Sequence, residues 1–92
     1  MNFTVLWSAE AESRLATAWL LATDRRIVSQ AADRVDRLLR KDAHEVGESR
    51  PENRRIIYEP PLGVVFTVDL ENRNVLVLDL WRFDMHGDSQ AT

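Results

Sequence analysis

The sequence predicts a small α+β domain in the order β-α-α-β-β-β, with a helical hairpin packed on one face of a largely antiparallel sheet. Three observations predict this fold class. Apolar residues recur at helical spacing through two adjoining segments of the first half. Three β-prone runs separated by short turns fill most of the second half. The chain has 92 residues, which is enough for one hydrophobic core but not for two.

The first half of the chain predicts one strand followed by two helices. A β-prone, loosely alternating run comes first. A serine and two glutamates then follow in the order typical of a helix start. Only about two or three residues separate the two helical patterns, so we expect an antiparallel hairpin. Trp7 and Trp19 lie on apolar stripes and are expected in the core. The predicted elements are a strand over Asn2–Trp7, a helix over Ala9–Ala22 capped by Ser8, and a helix capped by Thr23 or Asp24 that ends near Lys41.

The second half predicts a polar loop, three strands and a tail. Both faces of the last strand are largely apolar, so we expect this strand to be central in the sheet. Strict alternation places Trp81 on the same face as Val77 and opposite Leu80. Residues 1–83 are predicted to form the single domain. The predicted elements are a loop over Asp42–Asn53, strands over Arg54–Glu59, Leu62–Leu70 and Val75–Phe83, and a flexible tail over residues 84–92.

Composition excludes several classes of protein. The absence of cysteine removes disulfides and thiolate chemistry. No apolar run approaches the roughly 18 residues of a membrane span, and the N-terminus lacks the pattern of a signal peptide. We therefore expect a cytoplasmic bacterial protein without membrane association. The net charge of −3 means that binding to nucleic acid would need a local basic patch.

Arginines are the main candidates for a functional site. Arg50, Arg54 and Arg55 form the densest basic cluster, and Arg82 ends the last strand between two aromatic residues. Guanidinium groups bind phosphates and carboxylates in a bidentate manner. Neighbours in a strand point to opposite faces, so only one of Arg54 and Arg55 can line a shared site. The plainer interpretation, solvated arginines paired with nearby acids such as Glu48, stays open.

Histidine spacing gives no indication of a metal site. The two histidines, His44 and His86, are far apart and lack the paired spacing of metal ligands. The sequence also has no phosphate-binding glycine motif and no Ser–His–Asp signature. We therefore expect neither a cofactor nor a metal.

Three local motifs, in their order and spacing, resemble those of a known family. The chain opens with FTVLWSAEAESRL, a short strand that enters a helix through a small polar residue and acids. An arginine-led strand, RRIIYE, then precedes GVVFTVD, and the apolar run VLVLDLWRF closes the pattern. Over residues 2–83 this order resembles the RelE/ParE toxins of bacterial type II toxin–antitoxin systems. The resemblance implies a toxin that is neutralised by a cognate antitoxin.

The resemblance implies two alternative activities. RelE-like members cut mRNA in the ribosome without a metal, and ParE-like members inhibit DNA gyrase without cleaving anything. For the first, it implies that Arg54 and Arg82, with Arg50 or Arg55, hold the scissile phosphate. The sequence departs from the ribonuclease pattern at Gly63, where many members carry an arginine, and in lacking a C-terminal tyrosine, for which His86 is the available substitute. A degenerate protein-interaction module is the remaining alternative.

Overall fold

The structure, a computed structural model, describes residues 2–83. In that range two helices pack on one face of a five-stranded sheet. The predicted tail over residues 84–92, with His86, lies outside the described residues. The elements are β1 (Thr4–Trp7), α1 (Ala9–Leu21), α2 (Arg25–Asp42), β2 (Glu48–Arg50), β3 (Arg54–Glu59), β4 (Leu62–Asp69) and β5 (Asn74–Arg82).

Both helices begin at side-chain caps that the sequence indicates. The Ser8 hydroxyl accepts a hydrogen bond from the Ala11 N–H at 3.0 Å and donates one to the Leu78 carbonyl at 2.9 Å. Asp24, one of the two predicted alternatives, caps α2 by accepting from the Arg26 N–H at 3.0 Å. Such caps satisfy N–H groups that have no partner inside the helix. Neither described helix has the length and apolar character that crossing a membrane requires.

The strands lie in the order β1-β5-β4-β3-β2. β1 runs parallel to β5, and the other neighbouring strands are antiparallel. The prediction of a largely antiparallel sheet is confirmed. The last strand, expected to be central, has a neighbour on each side as β5, but the middle strand of the sheet is β4. β1 pairs with Asn74–Val77, so it covers the first part of β5, and no other strand among residues 2–83 pairs with the rest of that edge.

The predicted loop over Asp42–Asn53 was wrong in part, because it contains β2. All three residues of β2 are exposed, so this strand has no apolar alternation to reveal it. Its pairing to β3 is set by the turn between them. Glu52 and Asn53 both have positive φ, at 65° and 62°, a backbone pattern that suits tight hairpins.

A β-bulge in β5 overturns the predicted alternation of that strand. Val65 pairs with Asp79 and Phe66 with Val77, so Leu78 is an extra residue in β5. The bulge exchanges the faces from that point on. Val77 and Leu80 are therefore both fully buried, although simple alternation separates them.

The hydrophobic core lies between the sheet and the helices. Trp7 packs against this core, as expected, but Trp19 is 39% exposed, so its predicted core position was wrong. The largest fully buried side chains of the core are Phe66, Leu39, Leu62, Leu80, Val28, Val35, Val64, Val75 and Val77.

The turn between β4 and β5 contains a perturbed carboxylate. Asp69 accepts hydrogen bonds from the Asn72 side chain at 2.9 Å and backbone N–H at 3.1 Å, and the side-chain bond is the larger cause of its lowered pKa. We expect Asn72→Ala to raise the pKa of Asp69 in an NMR titration, and Gln30→Ala, at an exposed position of α2, to leave it unchanged. Because the folded pKa is lowered, the stabilisation is present above the ordinary carboxylate pKa and lost as pH falls through the folded pKa. An unchanged Asp69 pKa in Asn72→Ala would contradict this assignment.

Candidate functional site

Within residues 2–83, no helix or strand packs on the face of the sheet opposite the helices, which we call the open face. Residues directly paired across antiparallel strands share a face. The register places Arg50 opposite Arg54, and Arg54 opposite Thr67, on the open face. It places Tyr58 opposite Gly63, and Gly63 opposite Trp81, on the same face. The open face therefore carries an arginine pair towards one end and aromatic residues towards the other.

The two open-face arginines are each close to an acid. Arg50 Nη2 lies 2.6 Å from Glu48 Oε1, and Arg54 Nη1 lies 3.7 Å from Glu52 Oε1. The arginine side chains are 40% and 52% exposed, so these are surface ion pairs of small individual strength. Each acid partly neutralises its arginine, which weakens the attraction of that arginine for a phosphate.

Arg55 lies on the helix side of the sheet, opposite the buried Phe66. Its guanidinium donates to the Val46 carbonyl at 2.9 Å and to the Gly47 carbonyl at 3.2 Å. These bonds hold the segment that leads into β2. The contacts of Arg55 therefore indicate a structural role.

Arg82 lies far from Arg54. It pairs with the buried Leu62, which places it on the helix side of the sheet, whereas Arg54 pairs with Thr67 on the open side. Thr67 lies five positions after Leu62 in β4, a spacing of roughly 17 Å along the strand. The register brings Arg50 and Arg54 together on the open face, whereas Arg55 and Arg82 lie on the helix side. A catalytic role for these four arginines stays a prediction.

The opposite end of the open face holds an aromatic cluster formed by Tyr58, Trp81 and Phe83. The ring centroid of Tyr58 lies 6.1 Å from that of Trp81 and 6.2 Å from that of Phe83, both in edge-to-face geometry. Such arrangements are favourable for aromatic pairs. Tyr58 is 50% exposed, so the cluster reaches the surface. The sequence shows that these aromatic residues are present. It does not show that they touch, because the bulge in β5 determines the face on which Trp81 lies.

Gly63 makes room for the aromatic cluster. A Cβ atom at this position would lie 2.4 Å from two ring carbons of Trp81. The indole therefore lies directly against the backbone of β4. This close approach explains why the residue between Tyr58 and Trp81 has no side chain.

Histidine and acidic side chains are the potential metal ligands in the described part of the chain. Residues 2–83 contain no group of three or more potential metal ligands. His44 instead packs its ring 5.4 Å from that of Phe3.

Comparison with known proteins places this geometry in a structural context. No protein-family model and no curated protein sequence matches the chain. Among solved structures, the RelBE2 toxin–antitoxin complex of Mycobacterium tuberculosis contains a chain with a TM-score of 0.73 and 18% identity. The match covers 89% of this chain and 99% of that one.

The chain has the fold of the RelE and ParE toxins. A chain of the chromosomal ParDE system of P. aeruginosa matches with a TM-score of 0.64 and 16% identity, over 90% of this chain and 98% of that one. A free-state mutant of the E. coli toxin RelE matches with a TM-score of 0.65 and 14% identity, over 99% of this chain and 93% of that one.

The structure gives a physical reason for glycine at position 63 of this RelE/ParE fold. It stands where the sequence resemblance leads us to expect an arginine in ribonuclease members. In this chain the Trp81 indole occupies the space above Gly63. An arginine side chain at this position would require the indole to move. The departure from the ribonuclease pattern is thus coupled to the aromatic cluster.

The second notable surface of this RelE/ParE fold is an apolar groove on the helical hairpin. Trp19 is held in it, because its indole N–H donates to Ser29 Oγ at 3.1 Å and the Arg25 guanidinium lies 4.6 Å from its ring centre. Leu20 and Leu21 nearby are 59% and 69% exposed. An apolar patch of this kind is typical of a protein-binding surface. The groove is lined by Trp7, Glu12, Leu15, Ala16, Trp19, Val28, Ser29, Ala32 and Asp33.

Proposed function

We propose that the chain is the toxin of a type II toxin–antitoxin module, acts in the bacterial cytoplasm and is neutralised by a cognate antitoxin. The observation that carries the proposal is the match of the fold over nearly the whole length of a chain in the RelBE2 toxin–antitoxin complex. The exposed apolar groove around Trp19 supports it, because a toxin held by another protein needs such a surface.

We further propose that the toxin acts by occupying a protein surface, in the ParE-like manner whose target is DNA gyrase. The candidate phosphate-binding arginines are divided between two faces, and both on the open face lie close to acids. RNA cleavage needs cationic groups that converge on one phosphate. The open face offers an aromatic cluster instead, in which Tyr58 is 50% exposed, and aromatic residues are typical of protein-binding hot spots.

A metal-independent mRNA endoribonuclease is the second candidate, favoured by one observation. Arg50 and Arg54 are neighbours on the open face, where they form a local basic pair. In that alternative Arg50 and Arg54 bind the phosphate without Arg55 and Arg82, which lie on the helix side of the sheet.

An expression experiment separates the two candidates. The chain is expressed in bacteria with and without the adjacent small reading frame, and viability, mRNA decay and DNA topology are followed. We expect growth arrest with intact mRNA and gyrase-dependent DNA damage, relieved by the neighbouring gene. We also expect Tyr58→Ala to reduce toxicity and Arg54→Ala to leave it unchanged, because only the first alters the aromatic cluster.

Two outcomes would contradict these proposals. Rapid mRNA loss that Arg54→Ala abolishes would favour the ribonuclease. Absence of toxicity, together with absence of an adjacent antitoxin gene, would contradict the toxin–antitoxin proposal. Circular dichroism of each variant checks that a lost phenotype is not a lost fold.

A further inference from the structure

A small polar pocket of about 180 Å³ lies where the segment after α2 meets the β2–β3 hairpin. Arg55 and Val68, which line it, share the helix side of the sheet with the buried Phe66. The pocket therefore lies mostly apart from the open face, and Arg54 is the residue that the two have in common. Its lining residues are His44, Ser49, Asn53, Arg54, Arg55, Val68 and Leu70.

Arg55 is a cation of this pocket whose charge is not neutralised by an acid. Its guanidinium donates to two backbone carbonyls, at 2.9 and 3.2 Å, and to Ser49 Oγ at 3.5 Å. Carbonyls orient a guanidinium without cancelling its charge, and a guanidinium has more N–H donors than these three bonds use. Arg50 and Arg54 each lie close to an acid, but Arg55 forms no ion pair among residues 2–83. Arg55 therefore keeps both charge and donors for an anion.

The segment that holds Arg55 is itself fixed in place. The Val46 N–H donates to the Asp42 carbonyl at the end of α2, at 3.1 Å. Gly47 has a φ of 78°, and a Cβ atom there would lie 2.5 Å from the Ile56 carbonyl oxygen, so this segment lies directly against the backbone of β3. The guanidinium is thus oriented before any ligand arrives, which lowers the entropy cost of binding.

His44 brings a second polar group to the pocket. Its ring packs 5.4 Å from that of Phe3, and its Nδ1 atom is buried without a hydrogen-bond partner in the described part of the chain. The nearest acid, Glu45, lies 4.0 Å from the other ring nitrogen, Nε2, which is too far for a hydrogen bond. A buried polar atom without a partner is costly. A ligand oxygen would satisfy Nδ1 when that nitrogen carries the proton.

The arrangement of these groups indicates the kind of anion. The polar side chains come from four different places: the segment after α2 (His44), β2 (Ser49), the β2–β3 turn (Asn53) and β3 (Arg55). A tetrahedral oxyanion presents oxygens in several directions, whereas a carboxylate presents two in one plane. The volume is below the roughly 300–1,000 Å³ typical of pockets that enclose a whole organic ligand, which favours an ion or a terminal group.

We propose that this pocket binds a phosphate group, either as the free ion or as the terminal monoester of a small molecule. Arg55 supplies the charge, and His44, Ser49 and Asn53 supply further hydrogen bonds. Such a ligand would connect the end of α2 to the β2–β3 hairpin, so its binding stabilises the folded chain by mass action. The proposal does not depend on the proposed function, because it concerns a different set of side chains on the other side of the sheet.

The binding test is an NMR titration of the full chain at constant ionic strength. The probes are inorganic phosphate, adenosine 5′-monophosphate, cyclic adenosine monophosphate and adenosine. We expect phosphate and the monoester to saturate the site with a Kd on the order of 1 mM or tighter, the cyclic diester to bind at least about tenfold more weakly, and adenosine not to bind. The Arg55 Nε–H and His44 ring signals should shift, and those of Arg26, exposed on α2, should not.

Matched substitutions test the site residues. Arg55→Gln and Arg26→Gln remove the same charge, and we expect only the first to raise the Kd for phosphate, by at least about tenfold. Because Arg55 also holds the segment after α2, a second variant keeps the backbone unaltered. Asn53 has a φ of 62°, which glycine adopts freely, so Asn53→Gly removes the amide without straining the turn. We expect Asn53→Gly to raise the Kd about fivefold or more, with an unchanged circular dichroism spectrum.

The outcomes are distinct from those that test the proposed function, since none of them involves toxicity or an antitoxin. Equal, unsaturated shifts at Arg26 and Arg55 would show charge screening only and overturn the site. A response confined to Arg50 and Arg54 would place the anion on the open face and overturn it as well. So would equal binding of the monoester and the cyclic diester, or an unchanged Kd in Asn53→Gly and Arg55→Gln. Binding of phosphate without the monoester would support the site and identify the free ion as its ligand.

Discussion

Phe66→Ala is expected to lower the free energy of unfolding by about 3–5 kcal/mol, the range typical of removing a buried aromatic side chain. Phe66 is fully buried on β4, the middle strand of the sheet, and pairs with Val77 on β5. Its removal leaves a cavity between the sheet and the helices. The surrounding side chains belong to different strands and helices, so they cannot move together to fill it. Urea denaturation followed by circular dichroism measures the loss.

The matched control for Phe66→Ala is Leu70→Ala, at a position just after the end of β4. Leu70 is 56% exposed, so its replacement removes little buried surface. We expect a change within about 0.5 kcal/mol, as for surface substitutions generally. Equal losses for the two variants would contradict the placement of the core on the helix side of β4.

Gly63→Ala is expected to destabilise the protein by about 1–3 kcal/mol, the usual cost of adding volume to a packed site. The added methyl would lie 2.4 Å from ring carbons of Trp81, so the indole must move away from β4. This movement also separates Trp81 from Tyr58. Thermal or urea denaturation measures the stability, and near-ultraviolet circular dichroism reports the aromatic rearrangement.

A double-mutant cycle isolates the clash at Gly63. In a Trp81→Ala background the ring that opposes the new methyl is absent, so Gly63→Ala should cost far less than in the native chain. The same loss in both backgrounds would show that backbone conformation, and not the indole, requires glycine. If the effects of the two substitutions simply add, the Trp81 indole is not the reason that position 63 lacks an arginine.

The regular parts of the fold could be predicted because their patterns are local. The helical stripes, Ser8 at the start of α1 and the alternation of β3 and β4 each appear within a few residues of sequence. β2 could not be predicted, since its three exposed residues have no apolar pattern and it forms through pairing with β3. The bulge at Leu78 was also invisible, because β5 is apolar on both faces and either register buries leucine or valine.

The candidate site was harder to predict than the fold, because it depends on strand pairing and not on local patterns. Arg50 and Arg54 share a face only because of the β2–β3 register, and the partners of Arg55 are carbonyls that no sequence pattern marks. Trp19 carries an apolar side chain at helical spacing, which predicts burial, yet it lies at a groove with a polar partner of its own. The residue types of the site could be read from the sequence, but which of them meet depends on the pairing of the strands.

The parallel pairing of β1 with β5 has a consequence for the synthesis of the protein. The hydrogen bond from Ser8 to Leu78 joins residues 70 positions apart. Closing so long a segment costs entropy before any contact is gained, and folds with many such contacts form slowly. On the ribosome, the first strand has no place in a sheet until the last strand has left the exit tunnel. The surface formed where β1 and α1 meet β5 thus exists only after residues 74–82 have been synthesised.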